Sequence, residues 1–261
     1  MKTALLALFG AVSIANAAEV VLPDACDNHV CLTDLRWKKG AVTHTLTGFI
    51  SSPEPIISLN IVFSYTDGRQ RGTTRLGMIN VKGSKTPFYF KVHEGLGLLN
   101  PGSLQWDRSS VRVEASAILG IAALQKDGVS CTFDPHGSRL GVTIKNESNE
   151  DLVLDYSLLT LISNGESLRL NGTHGKFADL DKPNPNTLIS SEASVSEQFI
   201  PMGSVTFANG GWVEDWRLHD ALVAAKPTLA LPLSVAGQTR IEKLPLEVRS
   251  ARMASAGQAT K

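Results

Sequence analysis

The chain is short of aromatic residues, which make up 6% of it, and of cysteine, of which there are three. It also lacks an excess of either charge: 25 Lys and Arg stand against 25 Asp and Glu among 261 residues. A nucleic-acid binder shows a concentrated basic patch, and this balance gives no such footprint; nor does it point to an anionic membrane surface. Histidines occur singly, at 29, 44, 93, 136, 174 and 219, without a His-x-His or His-x3-His spacing. No metal or cofactor is therefore expected. Nucleophile chemistry of the Gly-x-Ser-x-Gly type is missing too, because Gly83-Ser84 and Gly203-Ser204 lack the second glycine where the sharp turn needs it. Beyond Ile14 there is no run of about twenty apolar residues, so no membrane span is expected.

What is present begins with an export signal. Met1-Lys2 gives a positive start, Ala4 to Ile14 an apolar run, and Ala15-Asn16-Ala17 a small-x-small cleavage site. Residues 1–17 are read as a cleaved signal peptide, with an uncleaved anchor as the alternative; no Cys follows to receive a lipid. Removing 17 of 261 residues leaves 244, and losing Lys2 leaves 24 basic against 25 acidic residues. That length suits two domains of ordinary size, and the destination is the periplasm or the exterior.

All three cysteines lie in the exported part, where disulfides persist. Cys26 and Cys31 are close enough in sequence to bridge each other, while a bond from either to Cys131 would tie the N-terminus to the second half. Each arrangement leaves one thiol over. A zinc site would need four ligands, and only His29 lies near the pair.

Strand patterns dominate the rest. Leu32 to Trp37 and Val42 to Ile50 form an opening pair, and Pro53 and Pro55 predict a surface connection because neither can donate to a ladder. Ile57, Leu59, Ile61, Phe63 and Tyr65 then alternate without a miss, and Asp67-Gly68 predicts a hairpin turn. A return strand follows from Thr73 to Val81, then Phe88, Phe90 and Val92, and Val111 to Ala117. Ile118 to Gly128 shows a hint of helix but could equally be a last strand. Gly141 to Ile162 reads as a β-hairpin about the polar turn Asn146 to Glu150, with Val142, Ile144, Leu152, Leu154, Tyr156 and Leu158 on one face. Leu159 and Leu161 fall on the opposite parity, which predicts a bulge or a strand buried on both faces. Asn164-Gly165 predicts a turn, Asn171 to Ser196 a long loop, and Leu229 to Val248 a hairpin, peripheral or broken at Pro232 and Pro245. The expected class is all-β: two tandem sandwich domains, 18–126 and 129–249, followed by a disordered tail, 250–261.

The run Leu46 to Thr74, with Phe63, Tyr65, Asp67, Gly68, Gly72 and Thr73, resembles the FxLYD-type Ig-like module of bacterial envelope proteins. Ser51-Ser52-Pro53 replaces the asparagine usual after the first strand. The resemblance implies an Ig-like fold for about fifty residues, and the family has no catalytic residues to carry over.

Paired carboxylates occur at Asp179 and Asp181 and at Glu214 and Asp215, but acid-base work needs one of a pair desolvated. Asn146-Glu-Ser and Asn171-Gly-Thr match the glycosylation acceptor. The segment Asn209 to Asp220 offers a partner-binding loop: Trp212 and Trp216, four apart, with Arg217 beside them, could form an aromatic platform for a sugar or peptide. Their alternative role is to cap the core. The expected function is a non-catalytic binding or structural protein of the cell envelope, its partner another envelope protein or a glycan. A periplasmic chaperone-like assembly factor is the alternative, although its cationic clamp residues have no matched positions here, and a hydrolase comes third.

Overall fold

The computed structural model describes residues 19–40, 44–64, 81–91, 112–174, 181–208 and 211–253. The signal segment, the Asp67-Gly68 turn, the return strand up to residue 80 and the Tyr65 to Thr73 part of the FxLYD-like run lie outside these. The described chain is all-β, in antiparallel sheets. Its first strands are β1 (Glu19–Val21), β2 (Ala25–Asp27), β3 (Val30–Lys39), β4 (His44–Ile56), β5 (Ser58–Ser64), β6 (Val81–Lys91) and β7 (Arg112–Ile121). Then come β8 (Leu124–Lys126), β9 (Val129–His136), β10 (Arg139–Asn146), β11 (Leu152–Leu154), β12 (Thr160–Ser163), β13 (Glu166–Gly172) and β14 (Thr187–Ile189). The remainder is β15 (Ser194–Pro201), β16 (Val205–Ala208), β17 (Gly211–Glu214), a helix α1 (Arg217–Leu222), β18 (Thr228–Val235), β19 (Gln238–Pro245) and β20 (Val248–Met253).

Alternation places the first core, with its phase in β3 switched by a register shift between Thr33 and Arg36. Leu32 and Trp37 from β3, Leu46 and Ile50 from β4, and Leu59 and Ile61 from β5 are all buried. One sheet runs β1-β3-β4-β6 with β2 on β3, and a second runs β20-β7-β5. Pro53 and Pro55 do not end β4 in a surface connection as expected. The strand continues to Ile56, while its register with β6 shifts between Ile50 and Ser52 and again before Ile56. The prolines thus sit where the ladder is irregular, and their missing donors cost little.

The tail expected to be disordered from Ser250 is strand as far as Met253. β20 pairs antiparallel with β7, matching Ala251 to Ala117 and Met253 to Ala115, and buries Ala251 in the first core. Small side chains suit that tight pairing, and their low hydrophobicity is what made the segment read as unstructured. The chain therefore leaves the first core through β7, builds the second and returns. β7 serves both: Ala117 is packed in the first core and its neighbour Ile118 in the second.

The second core overturns the expected Gly141 to Ile162 hairpin. β10 pairs with β9 and β15, whereas β11 pairs with β14 and β18. The two strands bury side chains in one core without pairing with each other, and Asn146 to Glu150 is an arch between them. Val142, Ile144, Leu152, Leu154 and Tyr156 are buried as alternation required, but Leu158 is 46% exposed. Asn146 explains the arch: its Nδ2 donates to the carbonyls of Glu150 and Ile189, and its Oδ1 accepts from Ser148 N. A side chain thereby replaces the strand partners that a hairpin would supply.

The parity break has a simple form. β11 and β12 follow one another along the same side of β18, opposite Leu233–Ser234 and then Thr228–Ala230, with the intervening residues bulging out. Pro232 lies opposite that bulge. Its carbonyl accepts from Asp155 N at 3.1 Å, so its absent N–H points toward the interruption, where no ladder bond is lost. β18 and β19 form the expected hairpin through Ala236-Gly237, but it is not broken at the prolines: its pairing runs without interruption from Val235–Gln238 to Thr228–Pro245, and only β19 is an outer strand, since β18 also pairs with β11 and β12. Asn164-Gly165 turns β12 into β13, both turn residues having positive φ.

Of the two readings of Ile118 to Gly128, the strand one holds: it is strand and a tight turn, and α1 is the helix among the described residues. Leu218 and Leu222, one turn apart, are buried against the second core with His219 between them. The long loop from Asn171 to Ser196 is also partly strand, since it contains β14 and the start of β15.

Candidate functional site

Local geometry decides the cysteine pairing. β2 and β3 are joined by the two-residue turn Asn28-His29, both with positive φ, and Cys26 lies directly opposite Cys31 with Cα atoms 4.1 Å apart. Non-hydrogen-bonded cross-strand pairs approach to about 4.5 Å, within disulfide reach. The pair is bonded. Cys131 is a buried thiol, and burial pushes its pKa up to about 11, which keeps it protonated and unreactive.

The predicted binding segment spans three elements. Trp212 is in β17, opposite Phe207 of β16, while Trp216 precedes α1 and Arg217 is that helix's first residue. Trp212 and Trp216 therefore do not share one strand or one helical turn, and the four-residue spacing carries no platform by itself. Trp216 is partly buried, edge-on to His219 with ring centroids 5.5 Å apart. Across the ribbon Phe207 is 63% exposed.

The ribbon β16–β17 is held at its base. Glu214 bonds to the Arg139 guanidinium and to the Ser138 hydroxyl, and Arg139 Nη1 also donates to Gln198 at 3.1 Å. Burial pulls the Glu214 carboxyl upward, but Arg139, Ser138 and the field of His136 outweigh it and hold it below the usual carboxylate range. Asp215 Oδ2 accepts from Arg217 Nε at 2.7 Å, and Arg217 Nη2 donates to the Met202 carbonyl. The Glu214 and Asp215 pair is thus spent on structural bonds. Asp181 makes no such pair, and Asp179 lies outside the described residues.

Both glycosylation sequons are interior. Asn146 and Asn171 are each 0% exposed, and Asn171 holds the 182–184 segment by donating to Lys182 O and accepting from Asn184 N. Neither amide is available to a transferase.

A polar cluster absent from the sequence reading lies where β13 leaves β15. His174 Nδ1 and Glu197 Oε2 are 3.0 Å apart, and the His174 ring is edge-on to Tyr156, whose hydroxyl meets Thr187 Oγ1 at 3.2 Å. Burial first, and Glu197 in addition, push the Tyr156 phenol up to about 12 against the opposing Thr187 bond. Gly172 is the floor: a Cβ there would come within 2.9 Å of His174 Nδ1 and 3.0 Å of Glu197 Oε2. A 23-residue separation hid the pairing, since Glu197 and His174 meet only in the fold. The cluster can position a ring; among the described residues no three metal-ligating side chains gather.

Compared with known proteins, the chain matches no family model and no curated protein.

Proposed function

We propose that this is an exported, non-catalytic binding protein of the bacterial cell envelope, built of two Ig-like sandwich units after a signal peptide cleaved following Ala17. The observation that carries the reading is the β16–β17 ribbon, which presents Phe207 to solvent at 63% exposure while Arg139 and Arg217 pin its base. A binding element gains affinity when its contact residues are apolar and its backbone is already ordered, because less entropy is lost on association. The cross-strand disulfide suits an oxidising compartment, and no helix of the described residues is long and apolar enough to cross a membrane. The FxLYD-like run supports an Ig-like first unit.

The partner is an envelope protein or glycan that meets the ribbon face, with Trp216 and Arg217 beside the contact. Capture from an envelope extract by the mature protein should yield one partner in stoichiometric amount. Phe207→Ser should abolish that capture without changing the thermal midpoint. Capture that persists unchanged in the variant rejects the ribbon as the contact.

A further inference from the structure

The solvent face of β9, β10 and β15 is dished, and the strand register shows why. Thr143 lies between Thr132 and Ser196, and Gly141 lies between Asp134 and Gln198. Gly141 leaves the centre of its row empty, and it must, since a Cβ there would sit 2.9 Å from the Asp134 carbonyl oxygen. His174, two residues beyond β13, borders one side. Together they enclose a groove of about 500 Å³, within the range of small-ligand sites.

The bordering groups are set from behind. Thr143 Oγ1 and Ser196 Oγ share a hydrogen bond of 2.9 Å, Gln198 Oε1 accepts from Arg139, and Glu197 orients His174. Such pre-positioned groups lose little freedom when a ligand arrives.

The chemistry narrows the ligand. Asp134 and Glu197 supply acceptors and negative charge, and the nearby Arg139 cation is engaged by Glu214, so phosphate or sulfate is disfavoured. β10 is paired on both sides, so the strand at the centre of the groove has no edge for an extended peptide to join. The two rows hold only polar residues and glycine, while Phe133 and Val142 also border the groove. Hydroxyls that both donate and accept, beside acceptor-only carboxylates, match a ligand dense in hydroxyl groups.

We propose that this groove binds a segment of an uncharged, hydroxyl-rich oligosaccharide. It is a surface separate from Phe207, which is not among the residues lining it.

The test is calorimetric titration of the mature protein with cellotetraose, maltotetraose and N-acetylchitotetraose, with a heparin-derived tetrasaccharide as the anionic control. Saturable binding of at least one neutral tetrasaccharide is expected, with affinity falling about tenfold in Asp134→Asn and in Thr143→Val, a loss of the size expected for one hydrogen bond to a charged or well-placed group. Phe207→Ser should bind the sugar like wild type, which separates this site from the ribbon. Thr143→Val is nearly isosteric and keeps the test open should Asp134→Asn unfold. No binding of any neutral tetrasaccharide, preference for the sulfated one, or unchanged affinity in both groove variants would overturn the proposal.

Discussion

Asn60 on β5 donates from its Nδ2 to Oδ1 of Asp220 on α1 at 3.1 Å, across 160 residues of sequence. This bond ties the first core to the second, together with the shared strand β7 and with β20, whose Ala251 is buried in the first core and whose Val248 packs against the second. The two cores are therefore stitched at several points, although each has its own set of buried side chains.

The return of β20 makes the first core depend on the C-terminus. Truncation after Glu247 removes the whole β20–β7 ladder and the burial of Ala251. We expect hydrogen exchange to accelerate throughout β5 and β7 while β10 and β15 stay protected. Unchanged protection of β7 would contradict this dependence.

Asn146 holds the arch through two carbonyls and is 0% exposed. Asn146→Ala leaves those buried acceptors unsatisfied and should cost about 2 to 4 kcal/mol in denaturant unfolding. Expression in a glycosylating host should give no modification at Asn146 or Asn171, which intact mass would check.

Glu214 gives the protein an acid-sensitive contact. Its folded carboxyl is held below the ordinary 4.5, so its contribution is present above the unfolded value and is lost as pH falls through the lower folded one. Thermal midpoints followed downward from about pH 6 should drop less in Glu214→Gln than in wild type, although the variant starts lower. Parallel profiles would show that Glu214 is not the group responsible.

The Cys26–Cys31 bond closes a very short loop. On the chain-entropy model a loop of about five residues contributes roughly 2 kcal/mol, less than a long one. The Cys26→Ser, Cys31→Ser double variant should fold and lose about that much. Its remaining thiol, Cys131, should react with a thiol reagent only on unfolding, since it is 1% exposed and burial holds it protonated. Reaction in the native state would contradict the buried placement.

Local pattern made most of the strands legible. Leu140, Val142 and Ile144 alternate because one face of their strand is buried, and that period needs no tertiary knowledge. Partner choice is not local, and this is why the arch at Asn146 read as a hairpin: a polar turn between two alternating runs is the same in sequence whether the runs pair with each other or with other strands. β20 was missed because Ser250 and Ala251 are small, and α1 because six residues with three buried positions give too short a period to recognise. The site was half legible. Trp212, Trp216 and Arg217 were singled out by composition, but their anchors, Arg139 and Ser138, lie 75 and 76 residues from Glu214, and only the fold brings them together.

Binding through the ribbon is most directly measured by placing a photo-crosslinking residue at position 207 and exposing the protein to its envelope extract. One crosslinked species, absent when the photoreactive residue is moved to Ile241 on β19, is the predicted result. Equal crosslinking from both positions, or none from 207 while the partner is still captured, would contradict it.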